Sequence, residues 1–117
     1  AAPNFLFRPE AMAEYIRCFS KTDVIRATCE DYRAGALVDY RLDGEDFEAG
    51  RRLSCPVHFL WGTQRGSGGP MGKTAPIAAW RRWSDKVTGG PVDCGHFLPE
   101  EAPDRVISES YRFLSND

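Results

Sequence analysis

A histidine near the end of the chain is the residue best suited to acid–base chemistry. His96 follows Gly95 in the segment VDCGHFLPE (92–100), on a predicted loop directly after a short apolar stretch. An imidazole gains and loses a proton near neutral pH, which few other side chains do unperturbed. His96 could therefore act as a general base toward water or a hydroxyl group. A histidine that caps a helix or faces solvent in a turn would explain the same residues, so both interpretations stand at this point.

Other reactive residue types lack the spacing that their chemistry requires. The segment GSGG (66–69) has neither the Lys-Ser/Thr pair of a P-loop nor the dinucleotide fingerprint, and Ser67 is not in a G-x-S-x-G elbow. Cys94 and His96 are separated by one glycine, a spacing at which nucleophile and base seldom align, so Cys94 is predicted to pack. His58 lies inside a predicted buried strand, where a hydrogen-bonded core histidine or an edge position is expected rather than a ligand.

The cysteines do not indicate a metal or redox site. They lie far apart, with no C-x-x-C pair and no clustered histidines, which argues against zinc and against a redox dithiol. We expect free thiols rather than two disulfides, in a cytoplasmic protein without a metal or other cofactor. The four are Cys18, Cys29, Cys55 and Cys94.

The composition is that of one modest globular domain. Of 117 residues 42% are hydrophobic and 12% aromatic, enough to fill a small core. The net charge is −2 and the basic residues are scattered, so no nucleic-acid partner is expected. No apolar run approaches the roughly 20 residues that span a bilayer, and the start lacks the regions of a signal peptide, so no membrane partner is expected. The first residue is not Met, which suggests a processed or truncated piece, although a removed tag or initiator would look the same.

The first half of the chain is predicted to be helical. Apolar residues at helical spacing predict a helix from Pro9 to Phe19. A second helix is predicted to begin with Thr22 as its N-cap and to end or bend at Gly35. A polar-rich stretch from Ala36 to Gly50 predicts a third helix on a surface.

Near Arg52 the pattern changes to alternating strands and helices. The apolar run from Leu53 to Gly62, entered by Pro56 and closed by glycine, predicts a strand buried on both faces, as in a parallel sheet. A glycine-rich loop (62–72), a helical segment with Ile77, Trp80 and Trp83, a second strand (86–92) and a closing helix (103–114) follow. Two parallel strands do not make a stable sheet alone, so this half is predicted to be the end of a larger α/β sheet.

The residues of these elements resemble the C-terminal part of α/β-hydrolases. The resemblance is carried by CPVHFLWG (55–62) and CGHFLPEEAP (94–103), and it is closest to the haloacetate and fluoroacetate dehalogenases, with epoxide hydrolases nearby. The segment CEDYRAGA (29–36) resembles the end of the cap domain in that group. The resemblance implies that residues 1–51 are the end of a helical cap. Residues 52–117 would then be the C-terminal core segment, with the last two parallel strands and helices.

The resemblance also implies a two-step hydrolysis of a small-molecule haloacid. An Asp nucleophile, outside this chain, displaces halide, and water activated by His96 attacks the resulting ester. Tyr32 matches the cap tyrosine that helps hold the halide in dehalogenases and polarises the oxygen in epoxide hydrolases; a core-facing aromatic is the alternative. Trp61, at the carboxyl end of its strand, either lines the substrate and halide pocket or is simply a core or interface aromatic.

The sequence departs from the common hydrolase pattern after Trp61. In many hydrolases of this fold the acid that orients the histidine follows that strand, yet TQRG (63–66) has no carboxylate. In the dehalogenases the acid can follow the preceding strand, which would lie outside this chain. Asp93 lies in the same turn as His96 and is a poorer candidate.

Two alternatives to a dehalogenase remain open. An epoxide or ester hydrolase of the same fold would use the same base. A catalytically inactive truncated fragment would instead act through association, either with itself as in a dimer or with the missing N-terminal part, because one apolar strand edge is unpaired.

Overall fold

The structure is a computed structural model that describes residues 5–64 and 75–115. Contacts between Cα atoms divide the chain into two units. The helical unit runs from Leu6 to Arg52, and the α/β unit contains the described residues from Leu53 onward together with Phe5. Each unit is described by itself.

The helical unit contains three helices, as the apolar spacing predicts. They are α1 (Pro9–Phe19), α2 (Thr22–Ala36) and α3 (Val38–Glu48). The prediction that Thr22 is an N-cap is wrong, because Lys21 holds that position with an extended backbone (φ −93°, ψ 123°) and Thr22 is already helical. Leu37, with φ −124° and ψ −74°, separates α2 from α3.

Pairs of oppositely charged side chains one turn apart lie on all three helices. Their nitrogen–oxygen distances are 2.5 Å for Arg17–Glu14, 2.6 Å for Arg33–Glu30 and 2.5 Å for Arg41–Glu45. The Arg17 guanidinium lowers the pKa of Glu14. Because these side chains are more than half exposed, each pair contributes little to stability. None of the three helices contains a buried residue.

The α/β unit alternates strands and helices in the predicted order. Strand β1 (Val57–Gly62) pairs in parallel with β2 (Val87–Val92), in a register that joins Val57 to Val87 and Gly62 to Val92. Between and after them lie α4 (Ala75–Trp80), α5 (Leu98–Glu101) and α6 (Pro103–Leu114). β1 begins only after Pro56, later than the predicted start at Leu53, because proline has no N–H for the strand ladder.

The two faces of β1 are covered by different helices. Phe59 and Trp61 share one face, with ring centroids 5.8 Å apart, and Phe59 lies 5.8 Å from Trp80 of α4. On the other face, the ring of His58 stacks on Phe113 of α6 at 5.1 Å. Helices on both faces of a parallel sheet are the layer arrangement of α/β folds. β1 is half-buried rather than buried as predicted, because the described residues supply it with one neighbouring strand only.

A buried carboxylate joins α6 to both strands. Glu109 is 3% exposed and forms ion pairs with Arg105, at 2.7 Å, and with Arg112. Its Oε2 lies 3.4 Å from His58 Nε2, which forms no hydrogen bond among the described residues, and His58 Nδ1 lies 2.8 Å from Thr88 Oγ1. A buried charge is tolerated when it is paired. His58 thus packs against α6 and β2, with one ring nitrogen hydrogen-bonded and the other without a hydrogen-bond partner among the described residues.

We predict that Gly89→Ala destabilises the α/β unit by more than about 2 kcal/mol. Gly89 has φ 122°, and an added Cβ would overlap the carbonyl oxygen of Phe59 and lie 2.7 Å from its carbonyl carbon. Urea unfolding followed by circular dichroism measures the change. The matched control is Gly90→Ala, where a Cβ would meet nothing within 4 Å and the change should stay below about 1 kcal/mol. Equal stability of the two variants would contradict the prediction.

Candidate functional site

His96 lies on a loop at the carboxyl end of the two parallel strands. The loop leaves β2 after Val92 and enters α5 at Leu98. The His96 side chain is exposed, and its ring meets that of Phe97 edge to face at 5.2 Å. Ligands of open α/β sheets bind at this end of the strands. A histidine here can therefore reach a substrate or a water molecule.

The capping interpretation of His96 is wrong. The N-cap of α5 is Phe97, and no side chain caps this helix. The imidazole of His96 is thus not engaged in holding the terminus of α5, and its exposure agrees both with a solvent-facing histidine and with one available for proton transfer.

The start of the loop is fixed by hydrogen bonds that continue the strand pairing past β1. The backbone N–H of Thr63 donates to Val92 O at 3.0 Å, and that of Gln64 donates to Cys94 O at 3.0 Å. The Gln64 side-chain amide also donates to Asp93 Oδ1 at 3.1 Å. The segment after β1 therefore runs beside the segment that leads to His96.

Gly62 allows the loop to approach the end of β1 backbone to backbone. A Cβ at Gly62 would overlap the carbonyl oxygen of Gly95 and lie 2.7 Å from Cys94 O. Both glycines are buried. A side chain at position 62 would push the loop, and with it His96, away from the sheet.

A carboxylate from α5 holds the other side of the loop. Glu101 Oε2 accepts from the Gly95 N–H at 2.6 Å, and Oε1 accepts from the Phe97 N–H at 3.0 Å. No sequence motif assigns a role to Glu101. The available signal was an acidic residue in a short helix directly after the loop.

The Asp93 carboxylate is held by Gln64. Asp93 is exposed, and one of its carboxylate oxygens accepts the Gln64 amide. Within residues 5–64 and 75–115, no hydrogen bond joins Asp93 to the imidazole of His96. This arrangement does not favour Asp93 as the acid that orients the base.

Cys94 packs rather than reacts. Its side chain is 3% exposed, and burial raises the pKa of its thiol, with smaller contributions from the charges of Glu101 and Asp93. A raised pKa keeps the thiol protonated near neutral pH and so suppresses nucleophilic attack. The predicted packing role is confirmed, and all four cysteines are free thiols.

The two predicted substrate-binding residues fall in different units. Trp61 is half-buried and precedes Gly62 at the end of β1, so it lies at the same end of the sheet as the His96 loop. Tyr32 lies on α2 of the helical unit and is 78% exposed in this chain. The segment GSGG (66–69), with Ser67, lies outside the described residues.

Neither a metal site nor a membrane-spanning helix occurs within the described part of the chain. No group of three or more His, Cys, Asp and Glu side chains there could hold a metal ion. No helix among the same residues is long and apolar enough to cross a membrane.

Two known hydrolases are similar to this chain in sequence. No family model matches. A soluble epoxide hydrolase of Corynebacterium sp. (strain C12) is 36% identical over 116 residues, which are 97% of this chain and 36% of that protein. A fluoroacetate dehalogenase of Burkholderia sp. is 30% identical over 111 residues, 94% of this chain and 34% of that protein.

A solved structure extends the similarity to three dimensions. The crystal structure of a candidate α/β-hydrolase from Nostoc sp. PCC 7120 superposes with a TM-score of 0.81 at 46% identity, over 95% of this chain and 36% of that protein. The chain thus spans 34–36% of the length of these three proteins.

Proposed function

The chain belongs to the α/β-hydrolase superfamily and has the fold of the C-terminal portion of such an enzyme, and on that premise we propose that it supplies the base of a two-step hydrolysis. The observation that carries the proposal is the exposed His96 at the carboxyl end of the strands, on a loop held by contacts with Gly62 and Glu101. Support for the reaction class comes from the similarity to an epoxide hydrolase and a fluoroacetate dehalogenase.

The proposed substrate is a small haloacid. A carboxylate nucleophile, not assigned to a residue of this chain, attacks the carbon that bears the halogen, and halide leaves with the bonding electron pair. His96 then takes a proton from water as the water oxygen attacks the carbonyl carbon of the resulting ester. The hydroxy acid leaves, the carboxylate is restored, and the imidazolium of His96 returns its proton to solvent.

Tyr32 and Trp61 are the proposed substrate contacts. A tyrosine hydroxyl can donate a hydrogen bond to a leaving halide or to a developing alkoxide. The exposure of Tyr32 within its unit leaves that hydroxyl accessible. Trp61, half-buried at the end of β1, offers an apolar wall beside the His96 loop.

Epoxide hydrolysis is the second candidate function. It is favoured by the higher identity to the Corynebacterium epoxide hydrolase, 36% against 30% for the dehalogenase. Opening of an epoxide leaves an alkoxide on the substrate, so this reaction would need a proton or hydrogen-bond donor beside that oxygen. Dehalogenation would instead need a site that holds the leaving halide. The water-activating step at His96 would be the same.

We also propose that the α/β unit acts together with a further strand, from another segment of the polypeptide or from a second copy. Strand β1 pairs only with β2 within the described residues, and an isolated pair of parallel strands is unstable. In the same scheme, residues 1–51 are the end of a cap domain and residues 52–117 are a core segment.

We predict that His96→Gln stops turnover but not the first step. Steady-state halide release from chloroacetate should fall by a factor on the order of 10²–10⁴, because glutamine cannot act as a base. The polypeptide that carries this chain and its nucleophile should gain one covalent ester, detected by intact-protein mass spectrometry.

Asp93→Asn is the matched control in the same loop. It should keep most of the turnover, since the Asp93 carboxylate is engaged by Gln64. Undiminished turnover by His96→Gln would refute the role of His96. Diol formation from a small epoxide, without halide release from chloroacetate or fluoroacetate, would replace the first candidate function by the second.

We predict that Tyr32→Phe lowers kcat/KM on the order of 10- to 100-fold, because the variant loses a hydrogen bond made to developing charge. The control is Tyr40→Phe on α3, since Tyr40 is likewise 78% exposed in the same unit. Rates of halide release or diol formation for the two variants are compared with the unmodified protein. Equal effects of the two substitutions would count against a substrate contact at Tyr32.

A further inference from the structure

Glu101 contacts the backbone on both sides of His96. Its two carboxylate oxygens are used separately: Oε2 accepts from the N–H of Gly95, at 2.6 Å, and Oε1 from the N–H of Phe97, at 3.0 Å. Gly95 precedes His96 and Phe97 follows it, so a single side chain binds the backbone N–H groups of both neighbours of the histidine.

The contact with Phe97 is reciprocal. The backbone N–H of Glu101 donates to Phe97 O at 2.8 Å, while the Phe97 N–H donates to the Glu101 side chain. The N–H of Glu100 also donates to Phe97 O, at 3.1 Å. These bonds fasten the end of the loop to α5. Hydrogen bonds to an ionised carboxylate are stronger than neutral ones, so this short helix holds the loop firmly despite its length of four residues.

The loop is therefore held from two directions. Gly62, at the end of β1, lies close to the carbonyl oxygen of Gly95, and the Glu101 carboxylate accepts a hydrogen bond from the N–H of Gly95. Because the residues before and after His96 are both held, the Cα–Cβ direction of His96 is restricted as well. A small displacement of a catalytic group lowers the reaction rate by a large factor, so contacts that hold the loop in place affect the rate of a reaction that uses His96.

We propose that Glu101 is a positioning residue that sets the direction of the base His96 by clamping the amides of Gly95 and Phe97. The proposal rests on the hydrolase function proposed above. In this role Glu101 acts through the backbone that carries His96.

The clamp is tested first in the unmodified protein. Amide chemical shifts of Gly95 and Phe97 are followed by NMR against pH, together with the side-chain carboxyl carbon of Glu101. The chemical shifts of the two amide protons should lie downfield. They should change together with pH, at the same midpoint as the carboxyl carbon of Glu101, because both N–H groups donate to that carboxylate. Amide shifts that do not follow the Glu101 carboxyl would overturn the proposal.

The variant Glu101→Gln tests the consequence for catalysis. A neutral amide offers one acceptor oxygen in place of two, so at least one amide of the pair should shift upfield while the amides of β1 and β2 stay in place. We expect kcat to fall on the order of 10- to 100-fold with little change in KM, because the base is displaced while substrate binding is retained. Unchanged kcat despite shifted amides would overturn the positioning role.

Asp104→Asn is the matched control. Asp104 is an exposed acid in the first turn of α6, three residues after Glu101, and the substitution makes the same change of charge. It should move neither the amides of Gly95 and Phe97 nor kcat. Equal loss of kcat in both variants would assign the effect to net charge and overturn the proposal. Absence of hydrolysis by the polypeptide that carries this chain and its nucleophile would refute the proposed function instead, and the amide titration would still decide whether the clamp exists.

Discussion

The candidate site depends on one close approach of backbone to backbone. At the carboxyl end of the sheet, Gly62 and Gly95 meet at a distance that no side chain could occupy. Continued pairing beyond the strand, from Thr63 and Gln64 to the segment after β2, keeps the two chain segments in register up to that point. The position of His96 therefore follows from the geometry of the parallel strand pair, and not from any contact of its own ring with the sheet.

The two histidines of the chain have opposite surroundings and hence opposite roles. His58 belongs to β1, and its ring lies between the sheet and α6. The ring contacts Thr88 and is within ion-pair distance of the buried Glu109. The His58 side chain is only 10% exposed, and its contacts join the layers of the α/β unit. His96 has an exposed ring on a backbone that is held on both sides. General-base catalysis needs an imidazole that can reach a substrate and a backbone that holds it in position, and His96 has both.

Local patterns predicted the elements, and the resemblance to α/β-hydrolases predicted the fold, but neither could predict the contacts that hold the site. Helices α1 and α6 have the predicted bounds, because proline at the start and regular apolar spacing are local signals. The beginning of β1 differs from the prediction because Pro56 cannot join the ladder. The close approach at Gly62 and the clamp by Glu101 depend on segments separate in the chain or on a turn whose geometry no periodicity encodes.

Carbethoxylation by diethyl pyrocarbonate, followed by peptide mass spectrometry and activity measurements, tests the role of His96 most directly. The reagent modifies accessible neutral imidazoles, and the His58 side chain is only 10% exposed. Hydrolysis should decline in proportion to modification of His96, with His58 unmodified, and should return when hydroxylamine removes the group. Complete modification of His96 with unchanged turnover would contradict the assignment of this histidine as the base.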